Sequence, residues 1–149
     1  MPRTISWWAL KRHKSDQASF LADAGPIARL GMPTKVAVAT SGPIVRLAIR
    51  LNDSTDETVR TTLAAIGPAL DKVDRLIAEG VIGGDQPNAA DFQIGASVAL
   101  LLTFQDVREA IRDRPAADLA RHLFPWYPGE VSASFPPEWL APLRQPATI

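Results

Sequence analysis

Apolar positions recur along this chain at helical spacing, and polar residues of the capping kind stand where the apolar runs begin. Val59, Leu63, Ile66, Leu70, Val73 and Ile77 follow one another at intervals of three and four, the strongest periodic signal in the sequence. Ser54 and Glu57 have the spacing of a capping box that opens this helix, and Gly80 is placed to close it as the C′ residue, with Val81-Ile82 packing back. Gly67-Pro68 interrupts the pattern, and a kink or break is expected there because proline removes an amide and crowds the preceding turn. A second box, Asn88 with Asp91, precedes a run from Phe92 to Phe104 whose polar side chains are confined to Gln93, Ser97 and Thr103. Pro87 and Phe92 sit where a hydrophobic staple would form. A helix apolar nearly all round lacks a solvent face, so this one is expected to run through the middle of a helical domain.

The remaining pattern fills in around these two helices. Trp7, Trp8, Leu10, Phe20 and Leu21 give an interrupted helical pattern, with Ser15 placed to cap a short helix ending near Gly25-Pro26. Gly25-Pro26 and Gly31-Met32-Pro33 bracket a loop. Val36 to Leu51 is helical in composition but broken by Ser41-Gly42-Pro43, so Ile44 to Leu51 is expected to restart with Ile44, Leu47, Ala48 and Leu51 as its apolar face. A strand over Lys35 to Thr40 finds no partner strand and is rejected. Asp106 is placed to cap a helix to about Arg112, and Pro115 to open another that runs to Leu123. From Pro125 prolines alternate with Trp126, Tyr127, Phe135 and Trp139, the composition of a tail lying against the domain rather than of free disorder. These readings give an all-α chain: residues 1–125 as one helical bundle of six or seven helices around the Asn88-to-Phe104 helix, and residues 126–149 as a Pro- and aromatic-rich tail packed on it.

Composition narrows the function classes. At 149 residues the chain is long enough for one well-filled core. Sixteen basic residues balance sixteen acidic ones, which argues against nucleic acid or an anionic membrane as the main partner. The cluster Lys11-Arg12-His13-Lys14 has no second basic cluster beside it and is read as a solvated face. The absence of cysteine removes disulfides, thiolate metal sites and a cysteine nucleophile, and suits a reducing cytoplasmic setting. No apolar run is long enough to span a bilayer, and the N-terminus lacks a secretory h-region.

The catalytic signatures are missing. The glycines at 80, 83 and 84 lack the Lys-Ser/Thr ending of a phosphate loop, and there is no Gly-x-Ser-x-Gly elbow. His13 and His122 belong to no metal-ligand spacing, and His122 reads as a surface residue. Asp71 and Asp74 read as the solvated side of their helix. Asp91 could serve as a buried general base, but every capping partner is present and no nucleophile is, so its role is read as structural.

Leu70-Asp71-Lys72-Val73-Asp74-Arg75-Leu76-Ile77, followed by Gly83-Gly84-Asp85-Gln86-Pro87-Asn88-Ala89-Ala90-Asp91-Phe92, resembles the C-terminal helical domain of glutathione S-transferases. In that family a Ser/Thr/Asn-x-Ala-Asp box opens the central buried helix; here Asn stands where Ser or Thr is more usual, which keeps the capping chemistry. The resemblance covers about Leu63 to Pro125 and is weak before Pro43. The tail after Pro125 is similar to one bacterial branch of such proteins. Family members carry an N-terminal thioredoxin-like half that binds glutathione and activates its thiol. Nothing in this chain resembles that half, so no catalytic residue carries over.

What the resemblance implies is a hydrophobic-substrate wall and part of a dimer surface, with Trp7, Trp8, Tyr127 and Trp139 as the wall candidates and ordinary packing as the competing reading. It implies no conjugating activity and no cofactor for this chain alone. Glutathione would bind only if a thioredoxin-like domain were supplied, by a separate chain or by coding sequence upstream of Met1. The expected partners are that domain or a second copy in a homodimer, with no nucleic acid and no membrane. The alternative is a stand-alone helical binding or assembly module. The two differ at the first helix: an awaited partner leaves Trp7 and Trp8 open, whereas a self-contained module buries them.

Overall fold

Ile5, Trp8 and Ala9 fall on one side of the first helix, α1 (Pro2–Arg12), and all three are buried. In this computed structural model the chain is described over residues 2–13, 16, 34–126 and 129–143. The expected Ser15 cap, the Phe20-Leu21 segment, the loop between Gly25 and Pro33, and Tyr127 lie outside the described residues. Within them the chain is all-α. The helices after α1 are α2 (Thr34–Leu51), α3 (Asp56–Ala78), α4 (Ala89–Leu102), α5 (Gln105–Ile111), α6 (Pro115–Leu123) and the short α7 (Pro137–Leu140), which runs into a 3₁₀ turn at Ala141–Leu143. No strand occurs among the described residues; Phe104 and Val131 form an isolated parallel bridge.

The long helix α3 buries Val59, Leu63, Ile66 and Leu70, as their spacing predicts. It ends in a Schellman motif: Val81 N–H donates to Leu76 O at 2.9 Å and Gly80 N–H to Ile77 O at 3.0 Å, with Gly80 at φ +70°. Ile82 then turns back into the core while Val81 stays exposed. Its start differs from expectation. The N-cap is Thr55, whose side chain accepts from Thr58 N at 3.2 Å, and Ser54 is instead buried with its Oγ unsatisfied among the described residues.

Neither proline breaks its helix. Pro68 lies inside α3 and Pro43 inside α2, and both helices run through. For α3 the cause is tertiary, because it packs along its length against α1, α6, α7 and the 3₁₀ turn, and that burial outweighs a proline cost of about 3 kcal/mol. Gly67, beside Pro68, is buried where the backbone O of Pro142 closes over it. In α2, Leu47 and Leu51 of the expected apolar face are exposed and Val45 is buried, while the Ile44 side chain lies outside those described. The helix packs against α1.

α4 packs most extensively on α6, with α5 and α1 as further neighbours. Its closest approach is at Gly95, where a Cβ would lie 3.1 Å from Leu123 Cδ1 and 3.1 Å from the Phe124 ring, tighter than side chains tolerate without moving. The helix is less completely enclosed than its composition implies. Phe92 and Gln93 are exposed, the Phe92 ring meets Phe124 edge-on at 6.4 Å, and one side of α4 borders an open groove.

The capping box is present in both directions. Asn88 Oδ1 accepts from Ala90 N at 2.8 Å and Asp91 N at 3.3 Å, and Asp91 Oδ2 accepts from Asn88 N at 2.7 Å. Asp91 is 1% exposed, and its other oxygen accepts from Gly83 N at 2.5 Å, so one carboxylate holds both the helix start and the preceding loop. Asp91→Ala leaves two amides without their acceptor, and the expected loss is about 2 kcal/mol. Urea unfolding of the variant and the parent checks it, and equal midpoints contradict it.

Candidate functional site

A groove of about 280 Å³ lies between α3 and α4, with Ile5 of α1 completing its lining. α3 contributes Ile66, Ala69, Leu70 and Val73, one apolar strip at the three-and-four spacing of its buried face. α4 contributes Ile94, Val98 and Leu101 with Gln93 and Ser97, and α1 contributes Ile5. The two polar side chains do little to the lining: Gln93 is exposed, and Ser97 Oγ is occupied, donating to Gln93 O at 2.9 Å. Among the described residues no titratable group lines the groove. At just under the roughly 300 Å³ at which ligand clefts begin, it has room for an apolar group of modest size.

The four wall candidates are placed differently. Trp8 is 2% exposed and stacks on Phe135 at 5.1 Å and 13°, with Trp139 tilted against it at 5.3 Å. Its Nε1 donates to Asp56 Oδ1 at 2.7 Å, and the Arg12 guanidinium lies 3.4 Å over its ring. Trp7 is half-buried against the core, Trp139 is half-buried beside Trp8, and Tyr127 lies outside the described residues. Trp8, Phe135 and Trp139 form an aromatic seam joining α1 to the tail, and none of them lines the groove. The aliphatic lining was not singled out in the sequence, because residues at core spacing carry no sign that a neighbour is absent.

The tail is tied down by main-chain and carboxylate contacts. Val131 N donates to Thr103 O at 2.9 Å and Gln105 N to Val131 O at 3.0 Å. Phe104 and not Asp106 holds the N-cap position of α5, but Asp106 Oδ1 accepts from the first-turn amide of Val107 at 3.0 Å while its Oδ2 accepts from Ser134 N and Phe135 N, each at 2.9 Å. The carboxylate that the sequence offered as a local cap is recruited by a segment nearly thirty residues on.

Asp71 and Asp74 are likewise not a solvated face. Both accept from Arg114, the residue before Pro115: Arg114 Nε lies 2.8 Å from Asp74 Oδ2, and Arg114 Nη2 bonds Asp71 Oδ1. Asp74 Oδ1 also accepts from Ala116 N at 2.9 Å, which satisfies an amide at the start of α6. Burial alone would lower the Arg114 pKa, but the hydrogen bonds and charges of the two carboxylates raise it overall.

A second cavity, about 370 Å³, carries Arg108, Arg112 and Arg121. Each already meets a carboxylate, Glu130 at 2.7 Å, Glu109 at 3.1 Å and Asp118 at 2.7 Å respectively, so the cavity presents no uncompensated cation. His122 is exposed, and among the described residues no group of three or more His, Asp or Glu is arranged to hold a metal. No family model matches the chain, and comparison with curated proteins and with solved structures finds no match.

Arg114→Gln strands two partly buried carboxylates, and the expected loss is about 2 kcal/mol, between exposed and fully buried ion pairs. The raised pKa belongs to a base, so its contribution is fully present below the unfolded pKa and fades only as pH rises through the folded value. The parent-to-variant difference in urea midpoint is therefore expected to be the same at about pH 7 and about pH 10. A difference that shrinks across that interval contradicts this assignment.

Proposed function

We propose that the chain is a helical binding domain of the glutathione S-transferase C-terminal type, which receives a small apolar group in the groove between α1, α3 and α4 and performs no conjugation by itself. The observation that carries the reading is the groove's lining: aliphatic on three helices, without a titratable group, and open to solvent. The burial of Trp8 supports a domain that is self-contained at its first helix, so the binding reading does not depend on a second domain covering that surface. On the transferase-like reading the same groove is the wall against which a hydrophobic substrate rests, and the thiol-activating group comes from a separate thioredoxin-like domain. Among the described residues the groove offers no nucleophile or base to replace it.

An uncharged apolar fluorophore such as N-phenyl-1-naphthylamine tests the site. Its emission is expected to rise on binding the parent chain. Ala69→Trp, which places a large side chain at an exposed position of the lining, is expected to weaken binding at least tenfold with little change in urea midpoint. Equal affinity in parent and variant overturns the groove as the site. Conjugation of glutathione to an electrophile by the purified chain overturns the absence of chemistry.

A further inference from the structure

The overall charge balance conceals two halves of opposite sign. Residues 1–51 carry eight Lys or Arg against two Asp or Glu, whereas residues 52–149 carry eight against fourteen. In the second half the basic and acidic side chains are interleaved, as the Arg108–Glu130, Arg112–Glu109 and Arg121–Asp118 pairs show. On the helices of the first half, Arg12 meets Asp56 at 3.9 Å, and α2 shows no such pair among the described residues. α1 and α2 together contain no acidic residue, and α2 displays Lys35, Arg46 and Arg50 to solvent.

α2 also exposes apolar surface in register. Val36 is 48%, Leu47 57% and Leu51 76% exposed. On a regular helix these three fall within about 60° of arc and run for about 22 Å along the axis. Pro43, also exposed, continues the stripe, and Val45 marks the opposite, buried side. The three cations lie side by side along one flank of the stripe. A helix with one apolar edge in solvent, a cationic flank and no acidic residue is built like those that lie in the plane of a lipid–water interface.

We propose that the outer face of α2 binds an anionic lipid surface, with Val36, Leu47 and Leu51 entering the headgroup boundary and Lys35, Arg46 and Arg50 meeting lipid phosphates. Charge complementarity selects this occupant. A second copy of the chain would have to present an acidic patch, and nine of the fourteen acidic side chains of the second half already meet an arginine or a backbone amide. A bilayer needs no matching shape, which suits the outward side of a helix. The helix would lie on the membrane and not cross it: no helix among the described residues is long and apolar enough to span one.

Co-sedimentation of the full chain with vesicles tests this. Binding is expected to phosphatidylcholine vesicles containing phosphatidylserine and not to phosphatidylcholine alone, and to weaken as salt is raised. The double variant Arg46→Gln/Arg50→Gln is expected to lose at least tenfold in affinity, and Leu47→Gln/Leu51→Gln a similar factor. All four positions are exposed or nearly so, and unchanged urea midpoints show that the fold is intact. No binding to either vesicle, or binding indifferent to lipid charge, overturns the proposal. Sedimentation equilibrium showing a dimer that Leu47→Gln/Leu51→Gln dissociates also overturns it, assigning the stripe to a second copy.

Discussion

One buried carboxylate fixes the geometry on which the rest of the helical packing depends. A helix start leaves amide donors without intrahelical acceptors, and inside a protein each must be satisfied or the burial is lost. Asp91 satisfies the amide of Asn88 with one oxygen and that of Gly83 with the other. The first bond sets the residue at which α4 begins. The second sets how the chain arrives there from the Schellman turn that ends α3. Because α4 is the helix against which α6 packs at the contact distance permitted by Gly95, the register of that pairing follows from where the carboxylate sits.

Polar residues read from the sequence as a local cap or as a solvated face turn out to be long-range ties. Asp106 clamps the amides of Ser134 and Phe135, and Asp71 and Asp74 hold Arg114 across some forty residues. Both cases follow from one physical rule. A carboxylate has more acceptor capacity than one helix terminus uses, and a backbone amide that approaches it without another partner is captured.

The features that were legible in the sequence are those whose physics is local. The Asn88–Asp91 box, Pro115 at the first position of α6, Gly80 at the end of α3 and the buried strip from Val59 to Leu70 each depend on residues within a few turns of one another. The misreadings are those where distant packing overrode a local preference: helices that continue through Pro43 and Pro68, and an α2 that leaves Leu47 and Leu51 exposed. The groove belongs to the same category. Ile66, Leu70 and Val98 have core spacing and core burial, and nothing in their order signals that α3 and α4 leave a groove between them.

The helices that border the groove are each tied by a polar contact outside it. A void lined by aliphatic side chains normally shrinks as its walls relax inward, and its cost falls as they do so. Here each wall is restrained by a polar contact outside the void. α1 is held to the start of α3 by the Trp8 Nε1 bond to Asp56, α3 to the start of α6 by Arg114, and the start of α4 to its preceding loop by Asp91. Each of these bonds involves a charged group, whose hydrogen bonds are stronger than those between neutral ones. An apolar group that entered such a preformed groove would gain burial without the cost of opening the space.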